Sequence, residues 1–256
     1  MSDNKQSWNM SPSHVPLDSN EVHVWKASLE VPHNVADHLK RVLSPDEYDR
    51  AKRFHFEKDR RHWIVAHSIL RLLLGRYLDI EANELQFVAN DYGKPALVQS
   101  PHETRLHFNL SHSDEIALYA FAYERQVGID VEHMRGLLDY EQVATHYFSS
   151  YECSVLRALP TTLRQEAFYT CWTHKEAYIK ARGIGLSHPL DEFDVSLLPS
   201  ESAALLADRR DPEAPGRWSL CTLAPEDRYA GALAVEGSGW QLNCWEWKIQ
   251  PSIASL

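Results

Sequence analysis

Two acidic segments, about forty-five residues apart, constrain the fold of this chain more than any other feature. The first places Asp130 and Glu132 two positions apart in an alternating strand pattern, so both carboxylates share the face opposite the apolar residues. The second has the spacing of a helix, on which Trp172, Glu176 and Lys180 lie along one side. If the strand face meets this helix face, three carboxylates converge beside one ammonium. Such a cluster is typical of a Mg²⁺ site with a neighbouring cation, which suits phosphoryl chemistry.

Each acidic segment also has a simpler interpretation. Two acids on one face of a strand are usually a solvated surface, and a Glu–Lys pair four residues apart on a helix is common on surfaces. Trp172 on the same line of the helix indicates a partly buried face instead. The combination of the two segments, rather than either alone, predicts the metal site.

The composition is that of an ordinary globular protein, since 44% of the 256 residues are hydrophobic and 24% are charged. This length allows one large domain or two small ones. The net charge of −10 argues against a general nucleic-acid binder and against attraction to anionic membranes. We therefore expect neither nucleic acid nor membrane among the partners.

The cysteines indicate a reducing compartment. They form no C-x-x-C pair and the chain has no recognisable signal peptide, so we expect reduced thiols in a cytoplasmic protein. The longest apolar stretches fall well short of the length that spans a bilayer. The cysteines are Cys153, Cys171, Cys221 and Cys244.

The order of predicted elements divides the chain into a leader and two halves. Residues 1–20 are polar and lack periodicity, which predicts a flexible leader. Residues 21–125 and 126–256 each contain a strand, a long helix and then several strands, with a polar loop expected at 199–216. This layout predicts an α/β (α+β) fold with an N-terminal and a C-terminal subdomain. It is compatible with an internal duplication, although the residue identity between the halves is too low to establish one.

Local signals mark where helices begin and end. Ser44 and Glu47 have the spacing of a capping box. Pro160 predicts a break within the helical stretch 150–182, and Gly183 predicts a cap at the end of that stretch.

A basic segment precedes the first long helix, which is predicted over residues 64–78. In an acidic chain this segment indicates either a plain solvated helix or a cationic patch for a multiply phosphorylated ligand. Its cations are Arg50, Lys52, Arg53, Lys58, Arg60 and Arg61.

The histidines give no zinc signal, because His102, His107 and His112 match no usual ligand spacing. Ser111 and His112 are adjacent on a predicted strand and therefore point to opposite faces. They can hardly form a nucleophile and its base, so a contact to phosphate from either residue is the better interpretation.

Four motifs, taken together, resemble those of the 4′-phosphopantetheinyl transferase superfamily, specifically its surfactin-synthetase-activating type. They read GKP at 93–95, FNLSHS at 108–113, VGIDVE at 127–132 and WTHKEAYIK at 172–180. Each motif is weak alone, but four in this order and at this spacing are highly specific. The resemblance extends from about Val22 to at least Val195.

The resemblance implies a pseudo-dimer of two similar α/β subdomains, with the active site and coenzyme A in the cleft between them. It implies an enzyme, a holo-[acyl-carrier-protein] synthase, that transfers 4′-phosphopantetheine from coenzyme A to a serine of an apo acyl or peptidyl carrier protein and releases 3′,5′-ADP. Because the duplication supplies both halves, we expect a monomer. Carrier proteins of this kind are typically acidic around their serine, so a chain of net charge −10 needs a local basic or apolar docking patch.

Position by position, the resemblance implies that Asp130, Glu132 and Glu176 hold Mg²⁺ on the pyrophosphate of coenzyme A. Lys180 would stabilise or protonate the leaving phosphate. Attack by a neutral serine also needs a proton acceptor, for which Glu176 is the candidate. The implied contacts to the adenine or phosphates of coenzyme A are Lys94, Ser111 and His112.

One region departs from the pattern of the family. Basic residues near the start of the first long helix commonly hold the 3′-phosphate of coenzyme A, but here Glu47 lies early and His62 stands where an arginine is frequent. The expected substitutes are Arg50, Arg53 and Arg61.

Two other functions stay open. One is a non-catalytic module that binds coenzyme A or a carrier protein, and the other is a Mg²⁺-dependent hydrolase of nucleotide pyrophosphates. All three carboxylates and Lys180 are present, which argues against the module because binding alone would not require that set. The product would distinguish a hydrolase from a transferase, because a hydrolase transfers the phosphoryl group to water rather than to a serine.

Overall fold

The computed structural model describes residues 7–10, 16–98, 105–136, 140–198 and 201–248. The first part of the chain contains β1 (Asn9–Met10), β2 (Glu21–Ser28), α1 (His33–Leu39), α2 (Pro45–Ala51), α3 (Glu57–Leu78), β3 (Phe87–Ala89), β4 (Pro95–Leu97), β5 (Leu106–Ser113) and β6 (Ile116–Tyr123). The second part contains β7 (Val127–His133), α4 (Tyr140–Tyr147), α5 (Ser150–Ala158), α6 (Thr161–Arg182), β8 (Phe193–Val195), β9 (Leu205–Asp208), α7 (Ala214–Arg217), β10 (Trp218–Leu223), β11 (Tyr229–Glu236) and β12 (Gln241–Glu246).

The two halves repeat one order of elements. β2, three helices, the β3–β4 pair, β5 and β6 are followed by β7, three helices, the β8–β9 pair, β10 and β11, with α7 as an addition. Within each half the strands lie in the order first, last, middle, which gives β2–β6–β5 and β7–β11–β10. α3 and α6 are both 22 residues long. The repeat confirms the predicted pseudo-dimer of two similar subdomains.

The two sheets pack face to face between layers of helices. α1 and α3 cover the outer face of the first sheet, and α4, α5 and α6 cover that of the second. The core between the sheets includes Val24, Leu118 and Leu233. Ile129 and Val131 of β7 also point into this core, so the alternation of the strand turns Asp130 and Glu132 toward the helices.

Polar side chains of β5 hold the backbone of β7. Asn109 Oδ1 accepts a hydrogen bond from the Ile129 N–H at 2.8 Å. Ser113 Oγ accepts one from the His133 N–H at 3.1 Å. These bonds join one strand of each half, so residues of both halves meet at this junction.

The predicted helix ends are largely correct. Ser44 and Glu47 form the capping box of α2. α5 ends before Pro160 and α6 begins after it, and Gly183 has a positive φ of 66° at the end of α6. The start of the first long helix was predicted too late, because α3 begins at Glu57, within the basic segment.

Two described parts of the predicted leader are ordered, and β12 joins a different sheet from the one its place in the sequence suggests. Within the proposed leader, Asn9 and Met10 pair with β12, and Leu17 is buried in the first core; residues 1–6 and 11–15 lie outside the described residues. β12 pairs in parallel with β2, so this strand of the proposed C-terminal subdomain extends the sheet of the first half. The predicted polar loop at 199–216 contains β9 and α7. None of the described helices is long and apolar enough to cross a membrane.

Candidate active site

The site begins where α6 lies directly on β7. Gly128 has no side chain, and a Cβ atom at this position would overlap the Ala177 carbonyl oxygen and the Ala181 nitrogen. Because only glycine allows this approach, the backbone of α6 contacts the strand. Asp130, two residues further along the same face, therefore meets Lys180.

Three side chains form a closed triangle at this junction. Lys180 Nζ donates to Asp130 Oδ1 at 2.6 Å and to Ser111 Oγ at 3.0 Å. Ser111 Oγ donates to the same Asp130 oxygen at 2.8 Å. The serine belongs to β5 of the first half, whereas the other two residues belong to the second half. The triangle thus lies between the halves.

Glu132 extends the carboxylate face of β7. Its Oε2 atom accepts a hydrogen bond from Ser113 Oγ at 2.8 Å. Burial raises the pKa of Glu132, and the negative charge of Asp130 raises it further. This strand face is therefore an acidic site with limited access to water.

Glu176 is the most perturbed of the three acids. Burial raises its pKa to about 7, and Asp130 and Glu132 act in the same direction, although Lys180 opposes them. Burial disfavours the charge of Lys180, but the three carboxylates outweigh that effect and raise the pKa of the ammonium. At neutral pH the site thus contains one fixed cation and one carboxylate that exchanges its proton readily.

The donor set fits a magnesium ion, although the three carboxylates do not form a ready-made cluster. Within the described ranges, no group of three His, Cys, Asp or Glu residues is arranged to hold a metal ion. Lys180 occupies one oxygen of Asp130, while the other, Oδ2, is buried and has no hydrogen-bond partner among the described residues. A buried unpaired carboxylate oxygen beside two further acids with raised pKa values has the chemistry that a hard cation requires of its ligands.

Comparison with known proteins identifies the family. The 4′-phosphopantetheinyl transferase HetI of Nostoc sp. (strain PCC 7120) is 40% identical over 243 residues, which cover 95% of this chain and 99% of that protein. The chain belongs to the 4′-phosphopantetheinyl transferase superfamily. This membership confirms the predicted family, fold and enzyme class.

Other matches agree and follow the two halves. Residues 126–234 match the 4′-phosphopantetheinyl transferase superfamily, and residues 25–123 match a 4′-phosphopantetheinyl transferase N-terminal family. The transferase Sfp of Bacillus subtilis (strain 168) is 32% identical over 60% of this chain and 66% of that protein. The human L-aminoadipate-semialdehyde dehydrogenase-phosphopantetheinyl transferase is 29% identical over 76% of this chain and 67% of that protein. The boundary at 125/126 stays a prediction, although the two family matches meet near it.

The residues expected to contact coenzyme A occupy different environments in this transferase. Ser111 is bonded within the triangle, and His112 lies near Lys180, where burial and then the charges of Lys180 and His62 lower its pKa. Lys94 is engaged elsewhere: its ammonium donates to the carbonyl oxygens of Val127 at 3.1 Å and Ala181 at 2.9 Å. Burial lowers the pKa of Lys94 to about 8. The structure brings Ser111 to the cluster, leaves His112 exposed on the other face of β5, and uses Lys94 to join the two halves.

The arginines expected to hold the 3′-phosphate of coenzyme A also lie in different environments. Arg50 and Arg53 are exposed on and after α2, away from any contact with the carboxylates. Arg61 is only partly exposed, and its Nη2 atom donates to Glu30 Oε2 at 2.7 Å. His62 Nε2 lies 2.9 Å from the other oxygen of Glu30. Glu30, absent from the sequence prediction, thus contacts both Arg61 and His62.

A cleft of about 370 Å³ opens beside Glu132. Its apolar wall consists of Val143, Phe168, Tyr169 and Trp172. The polar rim consists of Ser113, His133 and Arg135. The cleft is thus a partly aromatic opening beside the acidic site, with one arginine on its rim.

Several residues that build the site were not predicted from the sequence. Asn109 and Ser113 hold β7, and Asn90 Nδ2 donates to the Gly183 carbonyl at the end of α6 at 2.7 Å. The alternation of polar residues at 109, 111 and 113 was the available signal, since it places all three on one face of β5. No local pattern indicated Asn90, because its partner lies 93 residues away.

Proposed function

We propose that this transferase moves 4′-phosphopantetheine from coenzyme A to a serine hydroxyl of an apo acyl or peptidyl carrier protein, with Mg²⁺ as cofactor. Family membership supports the reaction. The observation that supports its chemistry is the junction at which Lys180 bonds Asp130 beside Glu132 and Glu176. Transfer of a phosphoryl group needs charge neutralisation, fixed geometry and a proton acceptor, and this cluster offers residues for each.

Asp130, Glu132 and Glu176 would hold the magnesium ion. When bound, Mg²⁺ neutralises the pyrophosphate and fixes the orientation of its oxygens. Carboxylate oxygens are the ligands that it prefers, and two or three of them are sufficient when substrate phosphates complete the shell.

The bond changes can be assigned to atoms. The serine oxygen of the carrier attacks the phosphorus that bears the pantetheine arm, forming a new P–O bond. The bond from that phosphorus to the bridging oxygen breaks, and the electron pair leaves with 3′,5′-ADP. Glu176 accepts the serine proton, because burial favours the protonated form of its carboxyl group.

The cationic and neutral donors act on the leaving group. Lys180 remains charged, so its ammonium stabilises the negative charge that develops on the leaving phosphate. Ser111 and His112 contribute hydrogen bonds to coenzyme A. Because the pKa of His112 is lowered, its imidazole is neutral and donates through one nitrogen.

The carrier protein approaches through the cleft beside Glu132. The apolar wall of Phe168, Tyr169 and Trp172 offers contact area, and Arg135 on the rim suits an acidic partner. Arg135 is well exposed, and its guanidinium lies 3.5 Å from Asp114 Oδ1 in a long ion pair. This surface supplies the local basic and apolar patch that an acidic chain needs.

We also propose a monomeric, cytoplasmic protein. The duplicated halves supply both sides of the site within one chain, so assembly is not needed to complete it. Cys153, Cys171 and Cys244 are buried and form no disulfide with any described residue, which suits a reducing compartment.

The test is the intact mass of purified apo carrier proteins after incubation with the transferase, coenzyme A and Mg²⁺. A gain of one phosphopantetheine on an acyl or peptidyl carrier is expected, with loss of that gain in Glu176→Gln and in a sample containing a chelator. Absence of any gain across all carrier classes, with coenzyme A still bound, would instead favour the non-catalytic binding module. Release of 3′,5′-ADP without modification of the carrier would favour the hydrolase.

A further inference from the structure

One ion pair recurs at equivalent places in the two halves. In the first half, Arg71 Nε of α3 donates to Glu47 Oε2 of α2 at 2.7 Å. In the second half, Lys175 Nζ of α6 lies 2.8 Å from Glu152 Oε2 of α5. Both glutamates are the N3 residue of a capping box, and both cations are the fifteenth residue of a 22-residue helix. The duplication has therefore kept this pair in both copies.

The cation of each pair has further partners of the same kind. Each donates to two backbone carbonyls in the segment that follows its helix. For Arg71 these are Ala82 at 2.7 Å and Leu85 at 3.0 Å. For Lys175 they are Leu190 at 2.7 Å and Phe193 at 2.6 Å. In each half, one residue thus ties the long helix to the preceding short helix and to the following chain.

In each half, the cation of the ion pair also lies over an aromatic ring. Arg71 lies over the ring of Phe87, 4.9 Å from its centroid, and Lys175 lies over the ring of Phe193 at 4.2 Å. The agreement extends to the glutamate, the carbonyls and the ring, so chance placement is not a sufficient explanation.

The second copy is the more deeply buried. The side chains of Lys175 and Glu152 are both 0% exposed, compared with 2% for Arg71 and 20% for Glu47. A buried ion pair contributes little net stability relative to apolar residues of similar volume, because both charges lose their hydration. It does, however, specify one geometry, since any rotation or translation of the helix leaves a charge without its partners.

In α6, the ion pair fixes the orientation of the helix face that carries the catalytic residues. Glu176 follows Lys175 directly, and Lys180 lies five residues after Lys175. Because successive residues of a helix turn by a fixed angle, fixing the ammonium of Lys175 fixes the direction of both side chains. Glu152 also accepts a hydrogen bond from the Val195 N–H at 2.8 Å, which ties β8 to the same point.

The first copy has no catalytic group to position. The residues of α3 that correspond to Glu176 and Lys180 are Leu72 and Arg76. Leu72 packs against the first core, and Arg76 lies over the ring of Trp247, 4.4 Å from its centroid. We call the cation with its glutamate, its two carbonyls and its ring a clamp. The clamp of the second half lies beside catalytic residues, whereas the clamp of the first half does not.

We propose that Lys175, held by Glu152, is a positioning residue for phosphopantetheine transfer. The clamp fixes the rotation of α6 about its axis and its position along that axis, so that Glu176 and Lys180 face Asp130. The Arg71–Glu47 clamp has the same mechanical role in the first half and no effect on the chemistry. This inference rests on the proposed function of the cluster.

The test compares matched variants of the two clamps in the full-length protein. Lys175→Met and Arg71→Met each remove the cation from a glutamate, which is fully buried in the second half and partly buried in the first, so both are expected to lower the melting temperature. Only Lys175→Met is expected to lower kcat, by at least tenfold, and to raise the Mg²⁺ concentration that gives half-maximal rate. KM for the carrier should stay within about twofold, and Lys175→Arg should recover part of the lost kcat.

A second variant separates positioning from folding. In the double variant Lys175→Met with Glu152→Leu the charges are removed together, so much of the stability should return. We expect kcat to stay low, because the bonds to the carbonyls of Leu190 and Phe193 are still missing. A double variant with restored stability and the kcat of the unaltered protein would overturn the proposal, as would equal losses of kcat in the two single variants.

A binding measurement distinguishes failure of the inference from failure of the proposed function. The rise in melting temperature on addition of Mg²⁺ alone should be present in the unaltered protein and in Arg71→Met, and lost in Lys175→Met. If that pattern holds while no carrier is modified, the clamp is supported and the transfer reaction is not. If Lys175→Met keeps the full Mg²⁺ response, the clamp is contradicted whether or not transfer occurs.

Discussion

Lys180 and Asp130 form the contact that joins the catalytic helix to the acidic strand, with Nζ 2.6 Å from Oδ1. The contact depends on Gly128, which lets α6 lie against β7. It also depends on Ser111 of the other half, which bonds both partners. This ion pair therefore lies where the two halves of the chain meet and is also part of the catalytic cluster.

Lys180→Met should slow phosphopantetheine transfer by about 100-fold, since the side chain that stabilises the leaving phosphate is lost. The chain supplies a matched control at the equivalent position of α3. Arg76→Met removes a cation of similar length far from the carboxylates and should leave kcat unchanged. Steady-state rates of the two variants provide the comparison, and equal losses would remove Lys180 from the mechanism.

The Mg²⁺ requirement should depend on pH through Glu176. Its pKa of about 7 means that the carboxyl group is mostly protonated below that pH and mostly ionised above it. Protons and Mg²⁺ compete for the same oxygens, so the Mg²⁺ concentration for half-maximal rate should fall as the pH rises from 6 to 8. Titrations at three pH values test this, and the same pH dependence in Glu176→Gln would show that another group is responsible.

Stability without metal should respond to pH in the opposite direction from an ordinary paired carboxylate. Because the folded-state pKa of Glu176 is raised, the folded protein binds more protons than the unfolded chain between the two pKa values. This group therefore contributes stability at low pH, which is lost as the pH rises from about 4.5 to 7. The difference in melting temperature between the unaltered protein and Glu176→Gln, measured with a chelator, should shift accordingly. A difference that is constant across this range would contradict the pKa.

Gly128→Ala should destabilise the fold by about 3 kcal/mol or more, because the new methyl group would overlap the backbone of α6. Gly216→Ala is the control, since a Cβ atom at Gly216 meets no atom within 4 Å. Urea unfolding of both variants gives the comparison. A Gly128→Ala protein as stable as the control would mean that α6 and β7 are not in contact.

The 3′-phosphate of coenzyme A should be held more by Arg61 than by Arg50 or Arg53. Arg61 lies beside His62, which in turn is near His112 of the site, whereas the other two arginines are exposed. Arg61→Ala should raise KM for coenzyme A about tenfold and leave KM for dephospho-coenzyme A, which lacks this phosphate, unchanged. An equal rise for both substrates would show that Arg61 supports the fold rather than the phosphate.

The residues of the site could be predicted where they lie on one face of a single strand or helix, because their spacing in the sequence shows that face. The period-2 pattern of β7 places Asp130 and Glu132 on one face, and the spacing of α6 places Glu176 and Lys180 on one side. Gly128 then explains why the two faces meet, although the contact itself is not visible in the sequence. Local periodicity thus gives the residues of the site, and packing gives their distances.

The remaining features depend on partners distant in sequence. β12 joins β2 across more than 200 residues, and no local pattern selects that strand over those of its own half. Asp208 lies in the predicted polar loop, yet it is buried and accepts hydrogen bonds from Tyr178 at 2.7 Å and Arg182 at 3.0 Å. A polar residue looks solvated in sequence until the donors that satisfy it are known.

The most direct test of the account measures 3′,5′-ADP release and carrier mass in the same reaction, with a normal apo carrier and with one whose acceptor serine is replaced by alanine. We expect one 3′,5′-ADP to be released for each phosphopantetheine gained by the normal carrier, and none to be released with the alanine carrier. Asp130→Asn should abolish both products, because it removes the charge that pairs with Lys180. Release of 3′,5′-ADP with the alanine carrier, or transfer that survives Asp130→Asn at the normal rate, would contradict it.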